Sequence, residues 1–176
     1  SVVVTDAYGN AVSSQTVTFA VTAGGGSRSP ATVDTNANGV ATLTSWTLGA
    51  SAGVNTLTAT AAGLVGSPVT FSANGVASTP TQIAVTSGGS QTGVVAGQAA
   101  SSTSWTVRDA GNNPVQGVTV AFQVTTGSGN LSVASAVSNA SGVVSVTYTT
   151  YTTVETATIT ASFNAGSVSA STTIAS

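Results

Sequence analysis

The sequence predicts an all-β protein built as two antiparallel β-sandwiches in tandem. Three observations lead there. Apolar and polar residues alternate with period two, turns rich in Gly, Asn and Ser punctuate the alternation, and one half of the chain overlays the other.

In chain order, the alternation begins at Val2/Val4 and breaks at the turn Asp6-Ala7-Tyr8-Gly9-Asn10. Val17, Phe19 and Val21 then point one way and Thr16, Thr18 and Ala20 the other, the pattern of a strand buried on one face. A Gly-rich bend at 23–27 and a turn at 35–39 lead into Ala41/Leu43, and Leu57/Ala59 and Val69/Phe71 complete the first half. The second half supplies Ile83/Val85, Trp105/Val107, Val120/Phe122/Val124, Val144/Val146/Tyr148, Ile159/Ala161/Phe163 and Ala170/Thr172/Ile174. No segment carries a helical period, and regularly spaced short strands of this kind form a sandwich.

The overlay needs no gap from Thr5 to Gly39. Asp6 falls on Asp109, Asn10 on Asn113, Val12 on Val115, Phe19 on Phe122, Val21 on Val124 and Gly39 on Gly142. After one single-residue gap Leu57 falls on Ile159 and Ala59 on Ala161. The division expected is a sandwich at 1–75, a short proline-punctuated linker at 76–81 and a second sandwich at 82–176.

Composition excludes most site chemistry. Only 3% of the 176 residues are charged: Arg28 and Arg108, with Asp6, Asp34, Asp109 and Glu155. Lys, His, Cys and Met are absent. Two arginines cannot supply the basic surface a nucleic-acid binder needs, and thiolate, imidazole and amine catalysis lack their side chains. Mean hydropathy is positive, yet Thr, Ser or Gly interrupts every apolar stretch before the roughly 18 residues a spanning helix requires. Solubility rests on hydroxyls and amides, which makes self-association or glycan cover an expectation. Asn130-Leu131-Ser132 and Asn139-Ala140-Ser141 are formal glycosylation sequons.

The run V-x-V-x-D-A-x-G-N-x-V, then T-V-x-F-x-V, a Gly-rich bend, T-x-A-N-G-V-A and a late L-T-A-T strand resembles the bacterial Ig-like domain, group 1. This is the repeat of invasin- and intimin-type surface proteins, and the resemblance covers essentially the whole chain. It implies Ig-like sandwiches stacked in tandem, exported to the bacterial cell surface, serving as stalk or filament building block. It implies no catalysis and no cofactor, and it transfers no functional residues, because the shared positions are turn and core residues. The alternatives are an adhesin module for a host or carbohydrate ligand, and an accessory domain attached to an extracellular enzyme.

The two copies differ at their start. Residues 79–103 precede the strand near Ser104, whereas the first copy opens directly at the equivalent strand, so its N-terminal strand is not among the residues given. Three accounts follow: the chain is part of a longer repeat protein, the sequence is cut within a repeat, or another subunit donates the strand. The partners expected are therefore neighbouring repeats or further copies, including by strand complementation.

Candidate sites are few. Asp34, Asn36, Asn38 and Gly39 fit the opening of an EF-hand-type calcium loop, D-x-[DN]-x-[DN]-G. The second copy, however, has Val137 and Ser141 where Asp34 and Asn38 stand, and the twelfth loop position holds Ser45 rather than a bidentate Glu. A strand-to-strand turn followed by a continuous alternating strand from Ala41 to Ser45 is the expectation. Asp6, Asn10 and Gly39, with Asp109, Asn113 and Gly142, are read as turn-locking residues. Asp6 and Asp109 lie in different copies, and Asp34 and Glu155 in non-equivalent segments, so no carboxylate pair reads as an acid–base couple. Trp105 matches Val2 at an inward position, while Trp46, set over Thr149 and opposite in facing to Leu43, is the candidate contact surface.

Overall fold

The alternating segments fold as strands throughout. The computed structural model describes residues 1–176, which divide into two units, Ser1–Val76 and Ala77–Ser176. Unit 1 contains β1 (Val2–Val3), β2 (Thr16–Ala23), β3 (Ser27–Ser29), β4 (Thr32–Asp34), β5 (Val40–Ala41), β6 (Ser45–Thr47), β7 (Gly53–Thr60) and β8 (Val69–Gly75). Unit 2 contains β9 (Pro80–Ser87), β10 (Thr103–Asp109), β11 (Thr119–Thr126), β12 (Asn130–Leu131), β13 (Ser135–Val137), β14 (Val143–Val146), β15 (Tyr148–Thr149), β16 (Thr156–Phe163) and β17 (Val168–Ala175). No helix is long and apolar enough to cross a membrane.

Each unit has the same larger sheet, ordered β4-β2-β7-β8 in unit 1 and β13-β11-β16-β17 in unit 2. Registers match across the repeat: Phe19 lies opposite Ala59 and Val21 opposite Leu57, as Phe122 lies opposite Ala161 and Val124 opposite Ile159. Both central pairs carry a register shift at the same place, after Val21 and after Val124. The facing layer is β14-β10-β9 with the short pair β12-β15 in unit 2, and β1-β5 with β3-β6 in unit 1.

Period-two alternation determines what lies between the layers. Val17 and Phe19 from β2, Ala41 from β5, and Leu57 and Ala59 from β7 form the core of unit 1. In unit 2 the core is larger, centred on Trp105, which is 0% exposed and stacks at a tilt on Phe122 with ring centroids 5.4 Å apart. Val107, Val120, Val144, Val146, Tyr148, Ile159 and Ile174 close around that pair. With no cysteine to staple either unit, burial of these apolar faces is the main favourable term.

Three expectations need correction. The alternating strand expected from Ala41 to Ser45 is broken, because residues 42–44 leave the sheet and the chain moves from pairing with β1 to pairing with β3. The short strands β3, β4, β12 and β13, of two or three residues each, were not foreseen. Segments this short hold at most one full alternation, too little for a periodic signal. Pro80 and Thr81, assigned to the linker on composition, already belong to β9, where Pro80 sits at the strand's first position. There its missing N–H breaks no ladder.

Replacing Trp105 with Ala should cost unit 2 about 3–5 kcal/mol, the range for emptying an aromatic site in a core. Urea denaturation followed by circular dichroism reads this directly, and a loss below about 1 kcal/mol would mean the indole does not anchor the sandwich.

Candidate functional site

Polar residues gather at two recurrent places, the Asp-to-Asn corner that follows β1 in unit 1 and β10 in unit 2, and the Asn-Gly turn that packs beneath it. In unit 1 the corner closes through the Asp6 N–H donating to Asn10 O and the Gly9 N–H donating to Asp6 O. The Asp6 carboxylate caps it, accepting the Tyr8 and Asn10 N–H groups on Oδ1 and Asn10 Nδ2 on Oδ2, each at 2.9 Å. Unit 2 repeats the arrangement. Asp109 Oδ1 accepts the Asn113 N–H at 2.8 Å, and Asn113 Nδ2 reaches both carboxylate oxygens. A carboxylate that accepts several donors is favoured in its charged form.

The corners differ in one respect. Asp109 Oδ2 also accepts the Ser78 N–H at 2.8 Å from the segment just ahead of β9, and the residue is only 2% exposed. Asp6 faces solvent. The Asn113 side chain, and after it the Ser78 N–H, hold the Asp109 carboxyl at about 2 against the opposing effect of burial. Asn10, by side chain and then backbone, draws the Asp6 carboxyl below its ordinary value as well.

The Asn-Gly turns are alike despite their different side chains. Asn36 Oδ1 accepts the Asn38 and Val40 N–H groups, and Asn139 Oδ1 accepts those of Ser141 and Val143. Gly39 and Gly142 have φ of 70° and 71°, and a Cβ on either would stand 2.5 Å from the carbonyl of Val4 or Val107. Those glycine carbonyls accept the Val4 and Val107 N–H groups. Only glycine allows the approach and the positive φ together.

Of the candidate calcium ligands, Asp34 and Asn36 are committed to different partners. Asp34 lies in β4 opposite Thr16, whose hydroxyl donates to its Oδ1 at 2.6 Å. Asn36 spends its oxygen on the two turn amides. A calcium ion takes about six to eight oxygens, and a turn lacking the carboxylate, at Asn139, makes the same bonds.

Trp46 departs from its expected orientation. It pairs with Arg28 as Tyr148 pairs with Leu131, so its counterpart is Tyr148 and not Thr149. Four residues, 42–45, separate Ala41 from Trp46, whereas three, 145–147, separate Val144 from Tyr148. The extra residue in unit 1 reverses the parity, and Trp46 turns inward to pack half-buried against the unit 1 core. Its Nε1 is buried without a hydrogen-bond partner, as is that of Trp105.

Sequence reasoning also missed several polar anchors. Asn55 is 0% exposed; its Oδ1 accepts the Gly49 N–H and its Nδ2 donates to Gly53 O. Thr35 and Ser138 hold equivalent buried positions, donating to the Val12 and Val115 carbonyls and accepting from the Gln15 and Val118 N–H groups. Their alignment across the repeat was the available signal. Glu155, without a motif around it, accepts the Tyr148 hydroxyl at 2.7 Å and the Ser128 N–H at 2.8 Å. The Tyr148 hydroxyl draws the Glu155 carboxyl down, while burial and then Glu155 push the Tyr148 hydroxyl up. These groups brace loops and face one another across no cleft.

The family model described as bacterial Ig-like domain (group 1) matches residues 84–175. No curated protein sequence matches the chain. Among solved structures, the Escherichia coli adhesin FdeC superposes with a TM-score of 0.55 at 18% identity, over 96% of this chain and 55% of that one. The D0–D1 domain of intimin matches at 24% identity over 98% and 86%, with a TM-score of 0.43. The Yersinia pseudotuberculosis adhesin InvE matches at 21% identity over 97% and 51%, with a TM-score of 0.46. The chain thus spans about half the length of the FdeC and InvE structures.

Two measurements probe these sites. The Asp109 carboxyl is depressed to about 2, below the value of about 3.9 expected unfolded. Its contribution is therefore complete above pH 4 and lost as pH falls toward 2. The melting temperature of unit 2 should drop across that window, and Asp109→Asn should lower it at neutral pH while flattening the acid slope. An equal acid slope in the variant would assign the effect elsewhere. Millimolar calcium should leave both melting transitions unchanged, and a rise abolished by Asp34→Asn would establish a site there.

Proposed function

The chain belongs to the bacterial Ig-like domain (group 1) family, and on that premise we propose that it is an extracellular structural repeat of a bacterial surface protein. In this reading the two units, Ser1–Val76 and Ala77–Ser176, are tandem repeats of a stalk or filament. The observation that carries the proposal is the recurrence of one sheet order, one register and one Asp-corner in both halves. A protein selected for a reacting site concentrates its polar residues in one cleft, whereas this one places them identically in each repeat, where they brace turns. The low charge suits close lateral contact between copies, because little electrostatic repulsion opposes it.

The likeness of the fold to FdeC, an Escherichia coli adhesin, supports the surface location and binding by some part of such a protein. For this chain an adhesive role would fall to loop tips and to the outward edge of Trp46, whose half-burial favours bracing over recognition. Catalysis has no support in the arrangement of Asp6, Asp34, Asp109 and Glu155.

An antibody raised against residues 82–176 should label intact cells of the source bacterium, with no gain on permeabilisation. Electron microscopy with the same antibody should place the label on extended appendages or on the outer surface. Signal only after lysis would overturn the proposal, and saturable binding of the isolated chain to a glycan array would replace the stalk with the adhesin reading.

A further inference from the structure

In unit 2 the chain that forms β9 serves both layers in turn. From Pro80 to Ser87 it pairs antiparallel with β10 in the facing layer. It then bends through Gly88, Gly89 and Ser90 and resumes at the edge of the larger sheet, where Gln91 lies parallel to Ile174 of β17. The residues at the bend dictate it. Gly88 and Ser90 have φ of 65° and 51°, and a Cβ on Gly88 would stand 2.2 Å from the Ser102 carbonyl oxygen.

Backbone bonds fasten the transferred segment to β17. The Gln91 N–H donates to Thr173 O at 3.1 Å, the Ala175 N–H to Gln91 O at 2.9 Å, and the Val94 N–H to Ala175 O at 3.1 Å. The Ser90 N–H donates to Thr172 Oγ1 at 2.8 Å, and Thr172 is only 7% exposed. The Gln91 side chain stops the segment from sliding: its Nε2 donates to Gly88 O and Ser101 O, and its Oε1 accepts the Ser101 N–H. At the far end the Thr150 hydroxyl donates to Val95 O, and Val94 packs on the unit 2 core.

Direction gives these bonds a meaning. Segment 90–94 follows β9, β17 leads to Ser176, and the two run parallel. A pull on the chain ahead of β9, opposed by a pull on the chain after β17, slides one along the other. Sliding loads every bond between them at once, whereas lifting one end of β17 breaks them singly. β9 hangs on β10, which no terminus pulls, so the two loaded ends of the unit meet only at 90–94. We propose that segment 90–94 and β17 form a mechanical clamp, the contact that must rupture before tension can unfold unit 2. This deepens the stalk reading and rests on it, since a clamp of this kind serves a repeat that carries load along its chain.

The chain has no cysteine, so pulling handles attach only where one is placed. In the full chain, handles at Val76→Cys and at a cysteine appended after Ser176 load the clamp by sliding. Handles at Val95→Cys and the same appended cysteine lift β17 end-first. Val76 and Val95 are 85% and 69% exposed, which keeps both handles out of the cores. Single-molecule force spectroscopy should give unit 2 a higher unfolding force in the first geometry, and equal forces overturn the proposal. Thr172→Val removes the acceptor of the Ser90 N–H and should raise the unfolding rate under sliding load about fivefold, the kinetic equivalent of one hydrogen bond. Ser138→Ala removes a buried hydroxyl that braces Val115 and Val118, away from the clamp; it should lower equilibrium stability and leave the rate under load nearly unchanged. A Thr172→Val effect on that rate no larger than that of Ser138→Ala overturns the clamp. If Thr172→Val does not fold, the two pulling geometries on the native clamp still decide. Absence of the protein from the cell surface would remove the stalk and leave the force difference standing, so the two readings fail separately.

Discussion

Backbone pairing along β10, and along its counterpart β1, is the interaction on which the rest depends. β10 in unit 2 has a partner on each side, and the groups around it inherit their order from that. Trp105 is sealed, and Asp109 is drawn out of solvent onto Ser78. β1 has one partner, and Val3 and Asp6 beside it stay open to water while Val4 is buried. Burial of a carboxylate here follows from strand coverage, because the corner that holds Asp6 is built from the same bonds as the corner that holds Asp109. A sheet edge is an exposed row of donors and acceptors, and the contrast between the units shows how far its influence extends into side-chain environments.

Much of this was legible in the sequence, for a physical reason. Period-two alternation records which face of a strand is buried, and two copies of one unit let each check the other, so the main strands, the core and the corners could be read directly. Trp46 escaped because facing is a parity, and a single inserted residue between Ala41 and Trp46 reverses it without disturbing composition or propensity. Asn55, Thr35 and Ser138 escaped because a buried amide or hydroxyl is identified by its partners, which are backbone groups brought near by topology. The short strands β3, β4, β12 and β13 held too few residues to carry a period. What eluded the sequence was contact, while pattern was visible.

Scarcity of charge shaped how the few ionic groups are used. The four carboxylates accept from hydroxyls, amides and backbone N–H groups, and both arginines donate to carbonyls, Arg28 to Phe19 and Arg108 to Asn112. Charge-assisted bonds to neutral partners are stronger than neutral pairs and, unlike exposed ion pairs, are little weakened by salt.

The placement of those two arginines has a consequence for endurance. A protease of trypsin type cuts after Lys or Arg, and this chain offers it two bonds, Arg28–Ser29 and Arg108–Asp109. Both lie within paired strands, β3 and β10, with the guanidinium groups tied to backbone. Cleavage must wait for local opening of a sheet. Wherever proteases of that specificity act, such a sequence lengthens the life of the folded chain without any added armour.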